Sequence, residues 1–237
     1  AASGITNITG TAAEIVAAHD NGELTSIDGD FTTTVTGTAA ATDLTAIAAA
    51  TSGTITASGV TTITGTAAEI MAAHDDSLEL SSIDTDFEAT VTGTAAATDL
   101  TALAAATSGT ITASGVTTIT GTATAINAAH NNGELTSIDG DFAATVTGTA
   151  TEDELTALNG YTTGAINASG VTAITAGTAA DVVALIDDGT VTLASDVAIT
   201  ITGTATEDDL TALNAATSGA INASGVTAIT AGTAADV

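Results

Sequence analysis

The chain has no lysine and no arginine against 28 acidic residues, so its formal charge is −28 at pH 7 and every carboxylate finds its counter-charge in solution. A nucleic-acid partner held through a basic face is excluded. There is no cysteine, which removes disulfides and thiolate metal centres and leaves cysteine usage silent about compartment. With no tryptophan, one tyrosine and three phenylalanines, the interior must be built from Ala, Val, Ile and Leu rather than large rings. Proline is also absent, and the wealth of β-branched residues separates the chain from ordinary acidic disorder. No segment reads as a membrane span. Leu44 to Ala68 is uncharged, but Thr, Ser and Gly interrupt it every few residues. The opening AASGITNITG has neither the basic region nor the apolar run of a secretion signal.

What is present is a repeat. The tripeptide ASG begins at Ala2, Ala57, Ala113, Ala168 and Ala223, in steps of 55, 56, 55 and 55. A finer period lies inside it, because the β-branched motif TVTGT or TITGT places Ile8, Val35, Ile63, Val91, Ile119, Val146, Ile174, Ile201 and Ile229 in steps of 27 or 28. One insertion, at Asp76 to Leu78, lengthens a step. The 237 residues therefore read as one continuous array of half-repeats taken in pairs, with no second domain. It starts inside an ASGVT-like turn and stops at Asp236-Val237, partway into an expected helix, which reads as an excerpt of a longer array.

Each half-repeat carries the same local chemistry. A short strand is expected to end at Gly10, Gly37, Gly65 or Gly93. A short helix follows, opened by the T-x-x-E spacing of Thr11 with Glu14, Thr66 with Glu69 and Thr151 with Glu154, in which hydroxyl and carboxylate cap each other's amides. Asp43, Asp99 and Asp209 add charge to first turns, where the helix dipole favours it. Leu44/Ile47, Leu100/Leu103, Leu155/Leu158 and Leu210/Leu213 give each helix one narrow apolar face. Gly22, Gly53, Gly109 and Gly219 are expected to stop helices, and Asp28-Gly29, Asp139-Gly140 and Ser58-Gly59 to make turns between short β pieces. A unit this small cannot bury enough apolar surface to fold alone, so the units must stack. The expected fold is α/β, a repeat solenoid with short parallel strands and one short helix per 27/28-residue coil, forming a rod or filament in which the Ile and Val positions share one column. Separate 55-residue beads on a string are the alternative, but such small domains need staples that this chain lacks.

Three constellations are candidates for chemistry. His19, His74 and His130 recur at one repeat position, the end of a helix; two coils apart, they are too far from one another to share an ion and read as packing or helix-end residues. Asp28/Asp30, Asp84/Asp86 and Asp139/Asp141 set a D-x-D at each matching corner, where a hard cation such as calcium is one reading and a solvated turn with loosely associated cations the other. Asn21, Glu23 or backbone carbonyls would complete a calcium shell, although the G-G-x-G-x-D signature of calcium-binding rolls is missing. The threonine pairs Thr34/Thr36, Thr62/Thr64, Thr90/Thr92, Thr118/Thr120, Thr145/Thr147 and Thr200/Thr202 flank a buried Val or Ile and are expected to form two surface columns. Such columns resemble the flat face of solenoidal ice-binding proteins. Threonine is also simply the polar residue best suited to a strand, and its hydroxyls are potential sites for glycans. An enzyme is not expected, since no unique nucleophile stands beside the periodic histidines.

The near-identical copies of TGTA, LTAL, ATSG and ASGVTTITGTAAEI resemble the repetitive regions of giant secreted adhesin, surface-layer and haemolysin-type proteins of cyanobacteria and similar bacteria. That resemblance implies export, placement at the cell surface or in a fibre, and a role as spacer, adhesin or matrix component. The reading that follows is an extracellular structural protein that assembles with itself, without a membrane span or certain cofactor, with ice binding or carbohydrate and surface adhesion as alternatives.

Overall fold

The computed structural model describes residues 4–21, 27–75, 80, 82–135 and 137–231. The repeat start at Ala2, the helix stop at Gly22, Glu23, the insertion at Asp76 to Leu78 and the end at Asp236-Val237 lie outside them. Among the described residues ten strands alternate with eight helices in an α/β, solenoid-like repeat of strand then helix. The chain divides into two compact units, Ala1–Val116 with Asn132–Ile138, and Thr117–Asn131 with Asp139–Val237.

The first unit holds β1 (Ile5–Gly10), α1 (Ala12–His19), β2 (Ile27–Ala40), α2 (Ala41–Ala50), β3 (Ile55–Gly65), α3 (Ala67–Asp75), β4 (Glu88–Ala96), α4 (Ala97–Ala106) and the start of β5 (Ile111–Gly121). Strands β1 to β4 pair in chain order, all parallel. The second unit takes the end of β5, then α5 (Ala123–His130), β6 (Ala143–Ala150), α6 (Glu152–Tyr161), β7 (Ile166–Ile174), α7 (Ala179–Asp188), β8 (Val191–Leu193), β9 (Ala198–Thr206), α8 (Glu207–Ala216) and β10 (Ile221–Thr230). Here β5 pairs β6, β6 pairs β7, β7 pairs both β8 and β9, and β9 pairs β10, again in parallel.

The helices start as their sequences require. Thr11/Glu14 and Thr151/Glu154 form reciprocal capping boxes, and Thr66/Glu69 makes the same two bonds. The expected apolar faces are buried in α2, α4 and α6, where Leu44, Ile47, Leu100, Leu103, Leu155 and Leu158 are at most 1% exposed, whereas in α8 Leu213 is buried and Leu210 only half-buried. Phe31, Phe87 and Phe142 are the largest fully buried side chains, one in each of three corners.

The strands depart from expectation at glycine. Gly37 and Gly93 do not end strands; they lie inside β2 and β4, with φ of 78° and 77°, and Gly148 and Gly203 do the same in β6 and β9. A left-handed glycine bends the strand without a Cβ penalty, so the chain continues paired through the bend. Ser58-Gly59 likewise does not separate two pieces, because β3 runs through it with a register shift against β2. The register does not keep the single Ile/Val column, on bulged and unbulged ladders alike. Ladder partners lie 22 residues apart at Thr33–Ile55 and 26 apart at Thr62–Glu88, short of the 27/28-residue period. Val35 therefore lies opposite Gly10, Ile63 opposite Ala39 and Ala89, Val146 opposite Gly121, and Ile174 opposite Ala150 and Ile199. Each of these four is nevertheless fully buried.

Candidate functional site: the acidic corners and the threonine strands

The paired aspartates sit where the chain enters an even-numbered strand. Asp28 and Asp30 open β2, Asp84 and Asp86 precede β4, Asp139 and Asp141 precede β6, and all six are exposed. Immediately after each pair the Phe side chain goes into the core, which fixes the corner. The backbone there is already occupied. The Thr51 hydroxyl donates to Phe31 O and accepts from Gly53 N–H at 2.9 Å, while Ser52 N–H and hydroxyl both donate to Gly29 O.

This latch recurs three more times. Thr107-Ser108-Gly109 closes on Thr85 and Phe87, Thr162-Thr163-Gly164 on Gly140 and Phe142, and Thr217-Ser218-Gly219 on Ser195 and Val197. In each case the entry to one strand is tied to the entry of its neighbour. Thr51, Thr107, Thr162 and Thr217 are buried although polar, which is tolerable because both hydroxyl functions are used. A Cβ at Gly53, Gly109, Gly164 or Gly219 would fall against two backbone carbonyl oxygens, so these glycines serve close approach. The helix stop assigned to Gly53, Gly109 and Gly219 belongs instead to Thr51, Thr107 and Thr217, which turn extended as C-caps. The signal was in the sequence: T-S/T-G follows each even-numbered helix at constant spacing.

Carbonyls engaged in the latch are not free to complete a cation shell from inside, and calcium at these corners would draw on the exposed carboxylates and water. Among the described residues no three His, Asp or Glu side chains gather into a group able to hold a metal ion. A groove of about 220 Å³ between α6 and α7 is lined by Glu152, Thr156, Asn159, Asp181 and Asp188.

The threonines do not form two unbroken columns. Thr34 lies between Thr9 and Thr56, Thr64 opposite Thr90, and Thr120 opposite Thr145. By contrast, Thr36, Thr147 and Thr202 lie opposite Gly59, Gly170 and Gly225, and the Thr92 side chain packs on Gly115. Thr62 is opposite Thr38 and Glu88, Thr118 opposite Ala143, and Thr200 opposite Asn222. The alternating register explains the pattern, since the second threonine of a strand that leads into an even-numbered helix meets the glycine of the next strand's bulge. Thr147 and Thr202 hydroxyls donate at 3.5 Å to Gly121 O and Gly177 O on the preceding coil.

His19 ends α1 and His74 lies in the last turn of α3, and each ring packs against the Phe of the next corner: His19 on Phe31 and His74 on Phe87, both with centroids 5.7 Å apart. Their Nδ1 atoms lie 3.0 and 3.3 Å from Asp20 and Asp75. His130 meets Phe142 at 6.3 Å and stacks on Tyr161 at 4.0 Å. In the fourth pair both rings are replaced, by Ile186 and Val197, which line one pocket. The exchange of both partners together marks a packing pair.

Three carboxyls lie below their ordinary values. Thr11 holds Glu14 down, first through its backbone N–H and then its hydroxyl. Burial works to raise Glu154, but the Thr124 hydroxyl and the Thr151 cap outweigh it. The Thr190 hydroxyl lowers Asp188 against a smaller opposing effect of burial. All three serve caps or bonds between coils. No described helix is long and apolar enough to cross a membrane. Compared with protein families, curated proteins and solved structures, the chain matches none.

Proposed function

We propose that this chain is a non-enzymatic structural repeat protein that works outside the cell, as the shaft of a filament, surface layer or long adhesin assembled from copies of itself. The observation that carries this reading is the fourfold T-S/T-G latch, the most developed polar constellation among the described residues, which joins strand to strand. Its repetition fits a mechanical role, in which each added coil contributes the same increment of backbone pairing and apolar burial. The charge of −28 without a single Lys or Arg keeps copies apart until cations intervene, so the exposed corner carboxylates are the sites through which calcium would bridge them. Electron microscopy of the native material with and without a chelator tests this. Uniform fibres that loosen on chelation support the proposal; discrete particles at every calcium concentration overturn it.

Ice binding is a second reading, favoured by the line Thr9–Thr34–Thr56 alone. Thermal hysteresis in solution would carry it, and would displace the structural role if fibres were absent.

A further inference from the structure

Two kinds of even-numbered helix start are each followed by their own kind of coil. Helices α2 and α4 open on alanine, Ala41 and Ala97, and the next coils begin Gly65-Thr-Ala-Ala-Glu69 and Gly121-Thr-Ala-Thr-Ala125. Helices α6 and α8 open on glutamate, Glu152 and Glu207, and the next coils begin with one extra residue and a shorter acid, Ala176-Gly-Thr-Ala-Ala-Asp181 and Ala231-Gly-Thr-Ala-Ala-Asp236.

In the first unit the Ala41 methyl packs 3.4 Å from where a Cβ on Gly65 would lie, and the Glu69 carboxylate fills the same space at 3.1 Å while capping Thr66 N–H. One carboxylate therefore already stands beside the Ala41 methyl. In the second unit Glu152 is only 6% exposed. Its Cβ stands 2.8 Å from the position of a Cβ on Gly177, and its N–H donates at 2.9 Å to the carbonyl of the extra residue, Ala176. Asp181, shorter than Glu69, is satisfied by the Thr178 hydroxyl at 2.6 Å. One threonine changes partner with the helix type. Thr45 and Thr101 donate back to the carbonyls of Ala41 and Ala97, whereas Thr156 donates to Glu152 Oε1 at 2.5 Å.

We infer that position 152 and the segment 176–181, with their counterparts at 41 and 65–69, form a matched-pair code that decides which coil can dock on which helix. A glutamate-type helix takes an A-G-T-A-A-D coil, and an alanine-type helix takes a coil that begins directly at glycine. The mismatch sets the specificity: glutamate against G-T-A-A-E brings two carboxylates into one space, and alanine against A-G-T-A-A-D empties the buried space beside Gly177 that the Glu152 Cγ and carboxylate fill and sends Thr156 back to the carbonyl of residue 152, as in Thr45 and Thr101. The rule goes beyond the structural role proposed above and holds wherever the protein works.

Coil exchange in the full chain tests it. Three variants are compared with the parent by amide exchange and far-UV circular dichroism: Ala41→Glu alone, replacement of Gly65–Glu69 by AGTAAD alone, and the two together. Each single change should speed exchange of the Leu44 and Ile70 amides by about tenfold or more, and the combination should return to within about threefold of the parent. Additive losses in the combination, or single changes without effect, overturn the code. Should Ala41→Glu fail to fold, the milder reciprocal set decides: Glu152→Ala, replacement of Ala176–Asp181 by GTAAE, and both, with the same expected rescue and the same refuting outcome.

Discussion

The latch at Thr107 can be weighed one group at a time. Thr107→Val keeps the shape of the side chain and removes its hydroxyl, which donates to Phe87 O at 2.5 Å and accepts from Gly109 N–H at 2.9 Å in a site only 6% exposed. Two bonds of about 1 kcal/mol each are lost, and the stranded carbonyl and amide raise the cost to about 2–4 kcal/mol. Thr107→Ser keeps the hydroxyl and gives up one methyl, a loss of about 1 kcal/mol.

The readout must be local, because repeat arrays open coil by coil before they unfold as a whole. Amide exchange reports it directly at Ser108 and Ala89, whose N–H groups donate across the corner to Thr85 O and Thr110 O, and at Gly109, whose N–H donates to the Thr107 hydroxyl itself. In Thr107→Val these amides should exchange about 30- to 1,000-fold faster than in the parent, the free-energy loss expressed as a ratio. In Thr107→Ser the change should stay near fivefold, about one kcal/mol. Equal effects of Val and Ser would refute the reasoning, since the hydroxyl would then contribute nothing beyond packing.

Thr33→Val should stabilise the first unit by about 1–2 kcal/mol in chemical denaturation, because the Thr33 hydroxyl is buried without a partner and its counterparts Ala89, Ala144 and Ile199 are apolar. Ala50→Tyr should add about 0.5–1.5 kcal/mol by stacking on His19, since Ala50 lines the small pocket beside that ring where its counterpart Tyr161 covers His130. Glu14 has a folded-state pKa below its ordinary value, so its contribution is present above the unfolded pKa and is lost as pH falls through the folded one. Glu14→Gln should therefore flatten the decline in midpoint on acidification below about pH 4.5, the ordinary glutamate range, and an unchanged slope would contradict the cap assignment.

What the sequence could reveal was whatever a side chain decides locally. Thr11 and Glu14 cap each other within one turn, and Leu100 and Leu103 share a face because of helical geometry, so both were legible without coordinates. The glycines were not. Gly37, Gly53 and Gly22 look alike in sequence, yet Gly37 bends a continuous strand and Gly53 admits two carbonyls from a segment more than 20 residues away. Which of these a glycine does depends on its neighbour in space. The same limit hid the latch, whose spacing is regular but whose acceptor, Phe31 O, is a backbone atom with no signature of its own.

Register was hidden for a deeper reason, and it explains why the repeat is 55 residues rather than half that. A sequence period counts residues, while a ladder counts hydrogen bonds, and bulges and loops absorb the difference. They do so differently on alternate sides. From the strand that leads into an even-numbered helix to the next one, as from β2 to β3, the entries are held by the T-S/T-G latch and the register shifts twice. From the strand that leads into an odd-numbered helix to the next one there is no such latch: the described ladders run without a shift from β3 to β4 and from β5 to β6 and shift once from β1 to β2, and at β3 Ser82 accepts the Ala57 N–H of the bulged strand while a histidine packs on a phenylalanine. A coil thus has two unlike faces, and each fits only the unlike face of its neighbour. Removing a single coil would set an unlatched entry against a corner built to receive the latch, whereas removing two preserves both kinds of junction. The smallest length by which such an array can change without remaking its contacts is the pair.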